Sequence, residues 1–246
     1  MIAIKCDEEN RRSVELSRKL NLPLEIDQPE PPDLLLGWYE DKLSLFPDDS
    51  GPVYIDFVEG RLAHRRQFGG GKKQPLARAI GLSSQHMPGV IDATAGMGRD
   101  SFVLAALGCT VKMIERSPII TALLEDALNR ARLDPDVSEI ADRLSIVCAD
   151  SCEYISRALT EDVIYLDPMY PEKRKSAAVK KDMRVLQKLV GSDQDSHKLL
   201  AVALIKAKHR VVVKRPKNAR SLEGQSPNTA ICSPNTRYDI YSIKAF

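Results

Sequence analysis

Four turns in this chain of 246 residues place polar groups directly after short apolar runs. Val90 and Ile91 lead into the turn Asp92 to Gly98, followed by Arg99 and Asp100. The run Thr110 to Ile114 ends in Glu115, Leu144 to Ala149 ends before Asp150 and Ser151, and Val163 to Leu166 ends in Asp167. Each has its own chemistry. Gly96 and Gly98 let the backbone turn sharply and let a ligand approach with no Cβ in the way. The N–H groups at the start of the helix that follows suit a carboxylate or a phosphate. Glu115, about 20 residues beyond the turn, can bind both hydroxyls of a ribose. Asp150 and Ser151 can hydrogen-bond an adenine amino edge, and Asp150 can equally cap the next helix. Together these residues fit a nucleoside-containing cofactor. The dinucleotide version of the turn wants a third glycine, and Ser101 stands in that place.

The elements that must position these groups follow from periodicity. Arg99 to Leu107 has helical spacing, with Phe102, Val103 and Ala106 on one side and Gly108 as a stop. Ser117-Pro118 starts a second helix, Ser as N-cap and Pro at N1, with Leu123, Leu124, Ala127, Leu128 and Ala131 as its buried stripe until Asp134-Pro135 breaks it. Residues 176 to 190 are expected to form an amphipathic helix with Val179, Met183, Leu186 and Val190 on its apolar face. Leu199 to Lys206 is another helix, Val211 to Val213 a fifth strand, and Thr229 to Cys232 with Tyr238 to Ile243 a terminal hairpin. Alternation of this kind builds an α/β fold: a seven-stranded, mostly parallel sheet with helices on both faces and a C-terminal antiparallel hairpin. Ligands then lie beyond the carboxyl ends of the strands, where all four turns converge.

Residues 1–60 are expected to form a small N-terminal α+β lobe: a strand at Ile2 to Lys5, a helix at Arg11 to Leu20, and an antiparallel meander at Leu34 to Tyr39, Lys42 to Phe46 and Val53 to Val58. Residues 61–80 form a basic, glycine-rich connector ending in a short helix, and 81–246 the main domain. In the connector Arg65, Arg66, Lys72 and Lys73 flank Phe68 and three glycines, which suits either a hinge or a phosphate-binding loop.

Composition narrows the partners. Hydrophobic residues make up 43% of the chain and charged residues 28%, ordinary for a soluble globular protein. No apolar stretch reaches 18 residues and no basic-plus-apolar leader begins the sequence, so a cytoplasmic protein without a membrane span is expected. Five scattered cysteines lack a C-x-x-C pair, and four histidines share no ligand spacing, so neither disulfides nor a metal are expected. The net charge of +2 hides an asymmetry. Residues 1–60 hold 6 Lys and Arg against 14 Asp and Glu, whereas residues 171–220 hold 15 against 4. Such a concentrated excess suggests a polyanionic partner, with Lys173, Lys175, Lys180, Lys181, Arg184, Lys214 and Arg215 as candidate nucleic-acid contacts.

Asp167-Pro168-Met169-Tyr170 resembles the [DNS]-P-P-[YFW] motif of methyltransferases that modify exocyclic base amines, with Met169 in place of the second proline. The order of elements resembles the class I, Rossmann-like fold of S-adenosylmethionine-dependent methyltransferases. More closely, DATAGMGRD, the Glu115-Arg116 pair, YLDPMYP, KSAAVKKDMRVLQKLVG and VVVKRP together resemble the bacterial 16S ribosomal RNA guanine-N2 methyltransferase J family, from about Arg65 to Tyr241. That resemblance implies S-adenosylmethionine as cofactor, 16S ribosomal RNA or the small ribosomal subunit as partner, and methyl transfer to the N2 amine of a guanosine. It also implies cofactor contacts at Arg99, Asp100, Glu115, Arg116, Asp150, Ser151 and Asp167, beside those that the turn itself offers at Asp92, Gly96 and Gly98.

The motif has a physical rationale. An exocyclic base amine is a poor nucleophile because its lone pair is delocalised into the ring. Asp167 can accept an N–H bond and help localise that pair, the Pro168 carbonyl can accept the second N–H, and Tyr170 offers a ring for a flipped base. Another base amine of RNA or DNA would satisfy the same motif. A nicotinamide-dependent dehydrogenase would use the same turn and Glu115, and a non-catalytic RNA-binding module would use the basic block. The first leaves Asp167 to Tyr170 without a role, and the second leaves the cofactor residues without one.

Overall fold

The structure is a computed structural model, and it describes residues 1–6, 11–47, 51–60, 71–157, 160–169, 185, 189, 195–222 and 225–246. A four-stranded sheet opens the chain. Strand β1 (Ile2–Ile4) lies beside β2 (Leu34–Tyr39), followed by β3 (Lys42–Pro47) and β4 (Val53–Tyr54). β2, β3 and β4 pair antiparallel as expected, but β1 pairs parallel with β2. Helix α1 (Arg11–Leu20) lies in the connection between them, and parallel neighbours require such a crossover. β4 is shorter than the expected strand to Val58. Asp56 Oδ1 accepts the backbone N–H groups of Val58 (2.9 Å) and Glu59 (3.0 Å), which curls the chain into a turn.

The second sheet has seven strands: β5 (Val90–Asp92), β6 (Val111–Glu115), β7 (Leu144–Cys148), β8 (Val163–Leu166), β9 (Arg210–Pro216), β10 (Thr229–Cys232) and β11 (Thr236–Ser242). Their order is β10-β11-β9-β8-β5-β6-β7. β5 to β9 pair parallel, and β11 enters antiparallel between β9 and β10, as expected for a class I methyltransferase fold. The chain runs outward from β5 to β7 and then returns to the far side of β5 for β8. The order therefore reverses between β5 and β8, which opens a crevice at their carboxyl ends.

The helices are α2 (Pro75–Ala79), α3 (Arg99–Ala106), α4 (Pro118–Leu133), α5 (Ser138–Ala141), α6 (Ser151–Arg157) and α7 (Ser196–Lys206). Ser117 caps α4, its hydroxyl accepting the Ile120 N–H at 3.4 Å. The single turn α5 was not apparent in the sequence; the Asp134 carbonyl accepts the N–H groups of Val137 and Ser138 and starts it. Most of the helix expected over residues 176–190 lies outside the described residues; of it, Val185 is buried and Leu189 packs on the core. Among the described residues no helix is long and apolar enough to cross a membrane.

Two apolar layers flank the large sheet. On one face Ile91, Ile114, Ile164 and Leu166 pack against Leu199, Leu200 and Ala203 of α7 and Ile155 of α6. On the other, Phe102, Leu104, Met113 and Leu124 share a continuous cluster with Ile4, Leu36, Leu45 and Phe57 from the N-terminal segment. The rings of Phe57 and Phe102 stack at 4.9 Å, 1° from parallel. The segment just after β4 thus stacks on α3, the helix that follows the glycine-rich turn, while β3 packs against α4.

Candidate active site

At the end of β5, Asp92 is buried. Its Oδ1 accepts the Thr94 N–H at 3.1 Å and its Oδ2 accepts the Ser101 hydroxyl. Burial pushes this carboxyl up to about 7; the two hydrogen bonds oppose the rise, and the neighbouring Asp100 and Asp167 add to it. Gly96 has φ +51°, and the side where its Cβ would stand is open, with only the Thr94 carbonyl oxygen at 3.9 Å. Its N–H donates to Glu115 Oε2 at 3.0 Å, while the Ser117 N–H donates to Oε1 at 2.8 Å. Glu115 therefore ties the turn to the entrance of α4 as well as facing the site.

Gly98 departs from expectation. It has φ +67°, and a Cβ there would come 2.8 Å from Leu124 Cδ2 and 3.1 Å from the Phe57 ring. It faces the core beneath α3 and does not line the cavity, so its glycine answers to packing, not to a ligand.

The opposite wall is built by register. β8 and β9 pair as far as Leu166 and Val213, so one step further brings Asp167 beside Lys214. Lys214 Nζ donates to Asp167 Oδ2 at 2.8 Å and to Asp100 Oδ2 at 2.7 Å, and the Tyr165 hydroxyl donates to the same Asp100 oxygen at 2.7 Å. Burial lowers the proton affinity of Lys214, but Asp167 and Asp100 more than offset it, so its pKa is raised and the ammonium stays charged. Burial, with Asp100 and Asp167 beside it, raises the Tyr165 hydroxyl well above the ordinary value. The Asp167 backbone N–H donates to Thr94 Oγ1 at 2.6 Å, which fastens the end of β8 to the glycine-rich turn.

On the third side, Asp150 Oδ1 caps α6 by accepting the Glu153 N–H at 3.0 Å, and the Ser151 hydroxyl donates to the Ala93 carbonyl at 2.6 Å. The capping alternative for Asp150 thus holds, and the residue also lies on the cavity wall. Arg116 Nη1 stands 3.8 Å from Asp195 Oδ1.

These walls enclose a cavity of about 340 Å³. It is lined by Asp92, Gly96, Arg99, Asp100, Glu115, Arg116, Asp150, Ser151, Asp167 and Pro168, all singled out from the sequence as cofactor or catalytic residues. Tyr170 lies outside the described residues. Lining groups that the sequence did not reveal include Cys152, next to Ser151 in α6, Asp195 and Leu199, which the start of α7 brings in from a distant part of the chain, and Lys214.

Two expected nucleic-acid contacts need correction. Lys214 faces the cavity and holds two carboxylates. Arg215 is 4% exposed, and its Nε and Nη2 donate to the Arg220 carbonyl at 3.1 and 2.7 Å, closing the loop after β9. Strand alternation sends the two side chains to opposite faces of β9, Lys214 to the cavity and Arg215 to the loop at Arg220, out of a run that reads as uniformly basic. Lys72 Nζ donates to the Ser83 carbonyl at 3.2 Å, and Lys73 is exposed. Arg65, Arg66, Lys173, Lys175, Lys180, Lys181 and Arg184 lie outside the described residues.

The cavity wall tests which cofactor fits. Among the described residues it carries six acidic side chains and three basic ones. An acidic excess suits a ligand bearing a sulfonium and an ammonium, and it repels the pyrophosphate of a nicotinamide dinucleotide. Glu115 and Asp150 supply acceptors for a ribose diol and an adenine amine, and open Gly96 leaves room for close approach. The residues present therefore fit S-adenosylmethionine.

Comparison with known proteins agrees. The SAM_MT family of SAM-dependent methyltransferases matches residues 15–243. A "Ribosomal RNA small subunit methyltransferase J" of Hydrogenovibrio crunogenus is 57% identical over 251 residues, covering 94% of this chain and 90% of that protein. One of the same name from Pseudomonas aeruginosa (strain UCBPP-PA14) is 48% identical, covering 99% and 94%. The crystal structure of the SAM-dependent methyltransferase NGO1261 from Neisseria gonorrhoeae is similar with a TM-score of 0.76 at 33% identity, covering 98% of this chain and 96% of that one. With an acidic cavity at the switch point, and with family and relatives matching over nearly its whole length, the chain belongs to the ribosomal RNA small subunit methyltransferase J family and is an S-adenosylmethionine-dependent methyltransferase.

Proposed function

We propose that the enzyme methylates the exocyclic N2 amine of a guanosine in 16S ribosomal RNA, acting in the cytoplasm on that RNA or on the small ribosomal subunit. The observation that carries this is the position of Asp167. Its carboxylate stands at the carboxyl end of β8, 41% exposed, on the wall of the cofactor cavity and followed by Pro168. The relatives' name supplies ribosomal RNA as the substrate class.

S-adenosylmethionine supplies, when bound, an electrophilic methyl group carried on a sulfonium. Glu115 holds the ribose, Asp150 and Ser151 stand at the adenine end, and Gly96 with Arg99 and Asp100 frames the amino-acid end. Asp167 accepts one N–H of the target amine and draws its lone pair out of conjugation, and the Pro168 carbonyl takes the other N–H. As the nitrogen gains positive charge, the carboxylate interaction strengthens, so it contributes most in the transition state. Tyr170 stacks on the extruded base, and the basic residues of the connector and of 171–184 hold the phosphates.

Single-turnover methylation with saturating cofactor and RNA tests this. Asp167→Ala is expected to slow transfer by a factor of about 10² or more, typical for loss of one electrostatic group at the reacting centre. Transfer by the folded variant at close to the wild-type rate refutes the assignment. Mass mapping of 16S ribosomal RNA from a deletion strain identifies the methylated base, and a missing methyl on any base other than guanine refutes the substrate.

A further inference from the structure

Lys214 takes no part in the function just described, yet its side chain reaches the centre of the site. Two of its three N–H donors are spent on carboxylates from different elements: Asp100 in the first turn of α3 and Asp167 at the end of β8. Its side chain is 26% exposed, against 12% for Asp100 and 41% for Asp167. A lysine held in this way is poorly placed to reach RNA phosphates.

We propose that Lys214 is a positioning residue for methyl transfer, which clamps Asp167 Oδ2 against Asp100 and so fixes the orientation and the negative charge that Asp167 presents to the target amine. The proposal rests on the amine-binding role of Asp167 given above.

Three observations support it. Both Oδ2 atoms lie within 2.8 Å of one ammonium, so two like charges are brought together that would otherwise repel. Without the ammonium, one of the pair takes up a proton at a higher pH, and a protonated Asp167 is a weaker acceptor for an amine N–H. Asp100 is itself anchored by the Tyr165 hydroxyl, so the clamp is braced against β8 from behind. Finally, the clamp joins α3, which follows the cofactor turn, to the residue that meets the substrate. Among the described residues, the titratable groups beside this cluster include Asp92 at the end of β5, Arg99 and Asp100 in the first turn of α3, Tyr165 on β8 and Tyr238 on β11. Lys214 is the cation that bonds both carboxylates.

The test uses full-length Lys214→Met, Lys214→Arg, Asp167→Ala and the double variant Asp167→Ala/Lys214→Met. Single-turnover transfer is measured across pH, S-adenosylhomocysteine affinity by calorimetry, and RNA affinity against salt. Lys214→Met is expected to slow transfer by about 10-fold or more and to move the acid limb of the pH profile upward by about one unit, the scale of a lost neighbouring charge. Lys214→Arg, which keeps the charge, is expected to return that limb to its wild-type position. RNA affinity and its salt slope should stay at wild-type values in Lys214→Met, because no phosphate contact is lost. The double variant should be no slower than Asp167→Ala alone, since Lys214 acts through Asp167.

Multiplicative losses in the double variant, an unmoved acid limb in Lys214→Met, or a flatter RNA salt slope would each overturn the clamp. The two readings also fail separately. If Asp167→Ala is slow while Lys214→Met matches wild type, the clamp alone is wrong. If Asp167→Ala is itself at the wild-type rate, the amine assignment falls first. Should Lys214→Met not fold, Lys214→Gln, which keeps a donor without the charge, gives the same pH comparison.

Discussion

Asp92 offers a quantitative test of how the site is built, because it is a buried carboxyl with a raised pKa. The perturbation is Asp92→Asn, which removes the titration and keeps an oxygen to accept the Thr94 N–H. The rise from an ordinary 3.8 to about 7 comes mainly from burial. At about 1.4 kcal/mol per pKa unit it is a linkage of roughly 4 kcal/mol, a ceiling that local relaxation reduces. The sign follows from proton counts. Between about pH 4 and pH 7 the folded state keeps the Asp92 proton and the unfolded state has lost it. Wild-type stability therefore falls as pH rises through that window and levels off above about 7, and below about 4 the penalty is absent. Urea denaturation of both proteins at pH 4.5, 6 and 8 measures the effect. Groups that do not face Asp92 titrate alike in the two proteins and cancel in the difference, leaving Asp92 and the carboxylates coupled to it, Asp100 and Asp167. Relative to its own value at pH 4.5, wild type should lose up to several kcal/mol more than Asp92→Asn by pH 8. Parallel stability curves across this range would refute the account of Asp92 as a carboxyl held neutral by burial.

Two further outcomes are expected. Glu115→Ala should weaken S-adenosylhomocysteine binding in calorimetry by about 1.5–3 kcal/mol, as for a lost charged acceptor; unchanged affinity in a folded variant would remove Glu115 from the ribose. Gly98→Ala should destabilise the fold by about 1–3 kcal/mol in urea denaturation, because a Cβ at φ +67° meets Leu124 and Phe57; an equally stable variant would show that this corner of the core repacks without cost.

Much of the site is legible in the sequence because it is local. The glycine-rich turn, Glu115, Asp150 and Asp167 each end a strand, and a parallel sheet gathers strand ends at one edge. What stays hidden depends on pairing and layering. Lys214 and Arg215 sit in a run that reads as a solvated basic surface, and only the β8–β9 register, one step past Leu166 and Val213, puts Lys214 beside Asp167. The usable signal was the strand end: with Val211 to Val213 a strand of the parallel sheet, Lys214 at its carboxyl end falls at the same edge as Asp167. Gly98 reads like Gly96, since both have positive φ, and only the packing of Phe57 and Leu124 separates their roles. Asp195 and Leu199 reach the cavity from a helix more than 70 residues beyond Glu115, a distance at which periodicity carries no information.

The stack of Phe57 on Phe102 has a consequence for how the chain can be cut. Arg130 of α4 donates to the Ile55 carbonyl and pairs with Asp126, whose Oδ2 accepts the Leu43 N–H at 3.2 Å. The N-terminal sheet is thus bolted to the same two helices that carry Arg99, Asp100 and the wall behind Glu115. A truncated enzyme beginning after Gly60 would strip the Phe57 ring from Phe102, on the underside of the cofactor turn. The acidic first quarter of the chain is therefore no removable adaptor. During synthesis it leaves the ribosome before α3 and α4, so its apolar face must wait for them before it has anything to cover.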